Sequence, residues 1–369
     1  MPYLFHRVSI DVMNLTPSRL LPRGAMAALS AALLFGAGTP AAKVLLAQTS
    51  PWLLAALLYL GSGIGLFAWR RLRGAPAVHL APGEWRWLAG AVLAGGVAGP
   101  VLLLVGLNGL AASTASLLLN AEGVFTAMLA WTVFRENVDR RIALGMAAIV
   151  AGGLVLSWPG QLRSVAWQPA LFVTGACAAW AVDNNLTRKV SLNDASWLAM
   201  VKGLAAGVTN LMLALALGAH WPSVPIVTAA ALLGFASYGA SLMLFVVALR
   251  ELGTGRTGAY FSVAPFFGAL LAIALLGDPV TPQLLVAGLL MAAGVALHLS
   301  ERHQHGHRHE AAAHSHAHVH GDADPHHDHH HSPSVAAGTR HTHAHEHAEL
   351  LHSHPHFPDA HHRHQHAHE

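Results

Sequence analysis

The 369-residue chain is 54% hydrophobic and only 11% charged, where a soluble domain carries roughly 25% charged residues. Histidine is segregated: of the 29, all but His6, His79, His220 and His298 fall in residues 301–369. With histidine neutral, that stretch has 4 basic and 9 acidic residues against 17 and 9 elsewhere, so the net +3 divides into −5 and +8. One uniform soluble globule is excluded, and so is a disulfide scaffold or any CxxC chemistry, because Cys177 is the sole cysteine.

From about residue 24 to 299 the chain is a series of ten apolar runs: 24–46, 51–69, 86–106, 111–134, 142–158, 167–186, 196–218, 225–249, 255–276 and 281–299. Each is long enough to cross roughly 30 Å of hydrocarbon. Short links rich in Arg, Pro, Gly and Asp separate them. The first run follows Arg19 and Arg23 as a signal peptide would, but it is long and nine more spans follow, so it is read as retained.

Lys and Arg alternate from loop to loop. Basic residues crowd the N-terminal segment (Arg7, Arg19, Arg23), the loop after span 2 (Arg70, Arg71, Arg73, Arg86) and the loop after span 4 (Arg135, Arg140, Arg141). Arg188 and Lys189 follow span 6, and Arg250 and Arg256 follow span 8. The alternate loops hold only Lys43, at a membrane edge, and Arg163. Ten spans fit this bias at every step and put both termini in the cytoplasm of a cell (inner) membrane.

Residues 107–157 repeat at 249–299 with an offset of 142. Leu107, Leu110, Phe125, Ala127, Leu129, Ala130, Val138, Ala151 and Gly152 recur as Leu249, Leu252, Phe267, Ala269, Leu271, Ala272, Val280, Ala293 and Gly294, and the loop acid Glu136 falls on Asp278. Nearer the start of each half, at offset 145, Phe35, Lys43 and Trp52 fall on Trp180, Arg188 and Trp197. Five spans per half is an odd number, so the second half inserts upside down. Inverted repeats of this kind mark secondary transporters, with the substrate site at the midplane between the halves.

The first copy, LAASTASLLLNAEGVFTAMLAWTVFRENVDRRIALGMAAIVAGGLVL (110–156), and the second, RTGAYFSVAPFFGALLAIALLGDPVTPQLLVAGLLMAAGVAL (256–297), resemble the helix 4–5 unit of the EamA-type drug/metabolite transporters. Pro265, Asp278, Gly288 and Gly294 match the family pattern in the second copy; Glu136, Gly145, Gly152 and Gly153 match it in the first, where Gly123 replaces the usual Pro. The resemblance covers 24–299. It implies a ten-helix, all-α membrane fold of two inverted five-helix repeats, and secondary transport of a substrate it does not name. The expected organisation is a cytoplasmic segment 1–23, repeats 24–158 and 167–299 joined by a linker 159–166, and a tail 300–369.

Few polar side chains lie inside the spans. Glu122, in the middle of span 4, is costly there and should face the interior or a cavity, in a coupling or substrate-binding role. Asn120 lies on a different face, in a small or polar stripe with Ser113, Ser116, Gly123 and Ala127 that suits close helix packing. Asp183, Asn184 and Asn185 end span 6, and Lys202 lies about two turns into span 7 at a depth comparable to Asp183. That spacing allows either a substrate or gating pair, or a static one. Tyr260 offers a hydroxyl in span 9. Without GxxxxGK[ST], GxSxG or HExxH, no enzyme activity is expected and no cofactor is required.

Residues 301–369 lack the apolar content for a core, so disorder is expected. Their histidines mostly alternate: His303, His305, His307, His309; His314, His316, His318, His320; His341, His343, His345, His347; His352, His354, His356; and His361, His362, His364, His366, His368. A denser knot holds His326, His327, His329, His330 and His331. In an extended chain each HxH presents two imidazoles on one side. Neutral imidazole suits divalent Zn, Ni or Co, with affinity falling below about pH 6.

The expected function is secondary active transport of a small solute, export being the favoured direction, with a tail that collects or senses divalent metal. One alternative is a metabolite or drug exporter in which metal is only regulatory; another is a membrane-anchored metal store or sensor without transport. The expected partners are a small molecule or ion, the lipid bilayer and, as an open arrangement, a second copy in a homodimer; no nucleic acid is expected.

Overall fold

A computed structural model describes residues 23–78, 80–133, 140–158, 167–190 and 193–299, and in the tail 304–309, 312–319, 340–347 and 350–355. The described residues of the membrane core form helices joined by short turns. The first half runs α1 (Arg23–Leu46), α2 (Pro51–Leu72), α3 (Trp85–Ala91), a π-helical segment Val92–Ala98, α4 (Gly99–Gly109), α5 (Ala112–Leu118), α6 (Ala121–Thr132) and α7 (Arg140–Ser157). The second runs α8 (Trp167–Arg188), α9 (Ala195–Ala216), α10 (Val224–Gly234), a π-helical segment Phe235–Ala240, α11 (Ser241–Phe261), α12 (Ala264–Leu276) and α13 (Pro282–Leu299).

Helix is forced here by the solvent: in hydrocarbon every backbone N–H and C=O must be satisfied within the segment. Among the described residues, five helical stretches are each long and apolar enough to cross the bilayer: Arg23–Leu46, Pro51–Leu72, Trp85–Gly109, Ala195–Ala216 and Val224–Ala248. Span 4 is made of two short helices, α5 and α6, and spans 5 and 10 are α7 and α13. Exposed Leu33, Ile64, Phe67, Leu93, Met212, Leu232 and Leu289 give the bundle a lipid-facing surface.

Spans 8 and 9 need a chain reversal that the backbone pattern of α11 does not display. Phe245 and Phe261 supply it: their ring centroids lie 4.9 Å apart. In a straight helix sixteen residues would separate them by about 24 Å. The chain therefore doubles back within α11, and the ten-span arrangement holds.

The packing follows the inverted repeat. Span 1 (α1) packs on α11 and α12, and its counterpart span 6 (α8) packs on α4 and α6. Spans 2 and 7 pack together as α2 and α9, and spans 5 and 10 as α7 and α13. Both π segments occupy equivalent places, since 92–98 maps onto 234–240 at the offset of 142. The breaks in spans 4 and 9 agree to within one residue: Leu119–Asn120 maps onto Phe261–Ser262, and span 9 breaks at Ser262–Val263.

One expectation is corrected. The stripe from Ser113 to Ala127 is not one helical face, because span 4 breaks at Leu119–Asn120. Ser113, Ser116 and Asn120 are buried, whereas Gly123 is exposed. In the described parts of the tail the backbone runs as β1 (Gln304–His309), β2 (Ala312–Val319), β3 (Arg340–His347) and β4 (Leu350–Pro355). β1 pairs with β4 and β2 with β3, both antiparallel. The alternation that makes HxH repeats has the period of a strand, which supplies the physical reason.

Candidate functional site

The site is built around the first π segment. Pro100 carries no N–H, so the carbonyls of Gly95 and Gly96 lose a backbone donor, one at i+5 and the other at i+4. Side chains from three other helices fill the vacancy. Tyr59 Oη on α2 donates to Gly95 O at 2.7 Å, and Trp180 Nε1 on α8 donates to the same oxygen at 2.9 Å. Asn210 Nδ2 on α9 donates to Gly96 O at 2.9 Å. Spans 2, 3, 6 and 7 are thus tied together at one level.

Asp183 lies against this segment. A Cβ on Gly95 would collide with the Asp183 carboxylate, so glycine is what lets the carboxylate approach the backbone. Lys202 Nζ reaches Asp183 Oδ1 at 2.6 Å and Oδ2 at 2.8 Å. Thr187, one turn along α8, donates to Oδ1 at 2.8 Å and accepts from Lys202 at 3.2 Å. The Asp183 and Lys202 side chains keep only 9% and 19% of their accessibility. A pair this dry is held by mutual attraction and by the threonine hydroxyl.

Beside it, Glu122 opens the first turn of α6, just past the break in span 4. Its Oε1 accepts from Asn184 Nδ2 at 2.8 Å. As whole residues Glu122 is half-buried and Asn184 exposed, whereas Asp183 is buried. Asp183 and Lys202 both act on Glu122 electrostatically. The site is therefore two coupled polar pairs from α6, α8 and α9.

An aromatic run leads away from it across the interface between the halves. Tyr59 and Tyr238 have ring centroids 5.3 Å apart, Tyr238 and Phe35 6.0 Å, Phe35 and Phe261 5.4 Å, and Phe261 and Phe245 4.9 Å. Its members come from α1, α2, the second π segment and α11. Such faces accept apolar or aromatic groups of a solute.

Of the sequence candidates, Glu122, Asp183, Asn184 and Lys202 converge. Asn120 does not join them: its Nδ2 donates to Leu117 O at 2.9 Å and faces Met291 Sδ at 3.9 Å, knitting the break in span 4. Tyr260 is half-buried near the end of α11. Sequence reasoning missed Tyr59, Trp180, Asn210 and Tyr238. The available signal was a buried polar tip on an otherwise apolar span, together with Pro100 five residues after Gly95. Glu136, and the tail histidines outside β1–β4, lie outside the described residues.

The ends of the bundle are fastened across the repeats. At the Arg-rich end Arg70, almost fully buried, donates to Asp194 Oδ1 at 2.8 Å and to Pro76 O at 2.8 Å. Burial pushes the Asp194 carboxyl up, but hydrogen bonds from Ser196 and the Trp197 N–H, with the Arg70 charge, outweigh it and hold it below the usual carboxylate range. At the other end Asp278 Oδ2 accepts from Ser113 N at 2.7 Å, capping α5 from the opposite repeat. Lys43 Nζ donates to Leu107 O at 2.6 Å and to Asn108 O at 3.1 Å, satisfying the last carbonyls of α4.

The comparisons agree with this architecture. The model of the EamA-like transporter family matches residues 22–158 and again 167–300. An uncharacterized transporter of Methanothermobacter thermautotrophicus is 28% identical over 291 residues, covering 74% of this chain and 84% of its own. A probable amino-acid metabolite efflux pump of Salmonella typhimurium is 26% identical over 216 residues, covering 52% of this chain and 68% of its own. A protein of known crystal structure superposes with a TM-score of 0.57 at 18% identity, over 74% of this chain and 94% of its own, a likeness of fold alone. Two matched repeats and a helical bundle with a lipid-facing surface make this chain an integral membrane protein of the EamA-like transporter family, a transporter and not an enzyme.

Proposed function

We propose that the protein is a secondary active exporter of a small organic solute that carries both charge signs beside an apolar or aromatic part. The observation that carries this reading is the Asp183–Lys202 pair packed against Glu122–Asn184 at the head of the aromatic run. Lys202 and Asp183 offer opposite charges to a zwitterion, the rings offer it an apolar face, and Glu122 is the coupling carboxylate. The likeness to a probable amino-acid metabolite efflux pump favours an amino-acid metabolite. The Lys/Arg bias supports the cell inner membrane with both termini in the cytoplasm. The test is to profile amino-acid metabolites inside and outside cells that express the chain, Glu122→Gln or Lys202→Met at matched membrane levels. Export that needs both side chains supports the reading; export unchanged by both overturns it.

The tail favours a second reading, in which its histidines bind Zn, Ni or Co and the core moves metal. Total metal per cell distinguishes the two. Metal content that shifts with the full chain and reverts in Glu122→Gln makes metal the cargo. A shift that depends only on the residues after Ser300 makes the tail a buffer or regulator.

A further inference from the structure

Most polar tips around the candidate site are already spent on backbone. Tyr59 Oη and Trp180 Nε1 both donate to Gly95 O, and Asn210 Nδ2 donates to Gly96 O. On the second π segment Ser237 Oγ donates to Leu34 O at 2.9 Å, and just beyond it Ser241 Oγ donates to Ala31 O at 2.9 Å. Tyr238, between these two serines, is different. Its ring is engaged, tilted against Tyr59 at 5.3 Å and edge-on to Phe35 at 6.0 Å. Its hydroxyl has no hydrogen-bond partner among the described residues. Nor is that hydroxyl sealed: among the described residues, the hydroxyls shut away from solvent without a partner are those of Thr49, Ser113, Ser116 and Thr126. Half-buried Tyr238 therefore presents an open, unspent polar group inside the bundle.

That group shares a neighbourhood with the charged pairs. Tyr59 lies within electrostatic reach of Tyr238, Asp183 and Glu122 at once. One ring therefore links the Tyr238 hydroxyl to the two carboxylates.

The repeat explains the backbone at this position and not the side chain. At offset 142 Tyr238 corresponds to Gly96, where a Cβ would meet the Ala206 Cβ at 2.5 Å. The first copy has no room for a side chain there, and the second carries a tyrosine. Phenylalanine would supply the same ring contacts. The two differ by the hydroxyl alone, and in an apolar span a hydroxyl without a partner is costly. Packing accounts for the ring and leaves the hydroxyl for a ligand.

We propose that Tyr238 Oη is the specificity-determining contact of the transport site, hydrogen-bonding a hydroxyl or similar small polar group at the far end of the solute's apolar part. The proposal rests on the reading that the core exports a solute with both charge signs beside an apolar part, and it adds what that part carries. Lys202 and Asp183 take the charged end, the rings of Tyr59 and Phe35 take the apolar body, and Tyr238 reads its tip. A site built to hydrogen-bond a solute hydroxyl rejects the analogue that lacks it, because its own polar group is then left unpaired. The selected class is a zwitterion whose apolar or aromatic side chain ends in a hydroxyl.

The experiment uses the full chain in proteoliposomes and zwitterion pairs that differ by one hydroxyl: tyrosine with phenylalanine, hydroxytryptophan with tryptophan, serine with alanine. Transport of each is read as kcat/KM. The parent should favour the hydroxylated member of at least one pair. Tyr238→Phe should lower that preference by about tenfold, the worth of one hydrogen bond, while still transporting the other member. Its melting temperature should match the parent's, since both ring contacts remain. Tyr59→Phe, which removes a donor to Gly95 O, should lower the melting temperature and leave the preference in place. A parent without any hydroxyl preference, a preference that survives Tyr238→Phe, or an equal fall for both members of a pair overturns the proposal while leaving export intact. The equal fall would make the hydroxyl a structural or water-holding group. Transport of no pair by the parent overturns the underlying reading as well.

Discussion

The Asp183 carboxylate occupies the place that a side chain on Gly95 would need. At offset 145 Asp183 corresponds to Gly38, and at offset 142 Gly95 corresponds to Ser237. A Cβ on Gly38 would meet Ser237 Oγ at 3.1 Å. One contact thus occurs twice, with the glycine and the polar residue exchanged between the partners. Symmetry preserves the close approach of helix to π segment, while the charge is kept in one copy only.

Gly95→Ala should push Asp183 off the π segment and strain the Lys202 pair. Overpacking costs about 1–3 kcal/mol. Thermal unfolding in detergent should show the loss, and export should fall. Gly123→Ala, where a Cβ meets nothing within 4 Å, serves as the control.

Asp183→Asn and Lys202→Met each leave a buried charge without its counterpart, a loss of about 3–5 kcal/mol for such pairs. The double variant should regain most of the stability and none of the transport. Recovery of transport in the double variant would make the pair a static brace.

Glu122→Gln keeps an oxygen for Asn184 and should fold normally, yet lose coupled export. Asn184→Ala should retain coupling with weakened substrate affinity. Proton flux into proteoliposomes, measured with and without substrate, separates the two.

Asp194 contributes stability above its unfolded carboxylate range, because the folded carboxyl is held lower than the unfolded one. The unfolded state binds the extra proton, so this contribution is lost as pH falls through the folded value. Asp194→Asn should lower the melting temperature at neutral pH and flatten its acid limb. Equal slopes for variant and parent between neutrality and pH of about 3 would falsify the assignment.

Gly277 adopts a left-handed backbone, φ 69°, that turns the chain from α12 to Asp278. Gly277→Ala should cost about 1–2 kcal/mol. It should also loosen the Asp278 cap on Ser113, detected as faster amide exchange at the start of α5. Asp278→Asn should loosen the same cap without backbone strain.

The spans, the inverted repeat, the basic-loop alternation and the segregated histidines are all legible in the order of the residues. These are local or periodic properties: a run of apolar side chains specifies helix in hydrocarbon whatever its neighbours. It also brought Asp183 and Lys202 to one depth, since consecutive antiparallel helices fix depth by counting residues. Lateral contacts between distant partners are not legible there and depend on how the helices pack. Tyr59 meets Gly95 across 36 residues, Trp180 meets it across 85, and Glu122 meets Asn184 across 62. The carbonyls of Gly95 and Gly96 recruit donors only because a π segment precedes Pro100, and which donors arrive depends on how α2, α8 and α9 pack. The histidine pairing is of the same kind. Alternation gave each strand its period, but only the register set His316 opposite His343 in the ladder, because a one-residue slip would put Thr342 or Ala344 in that place.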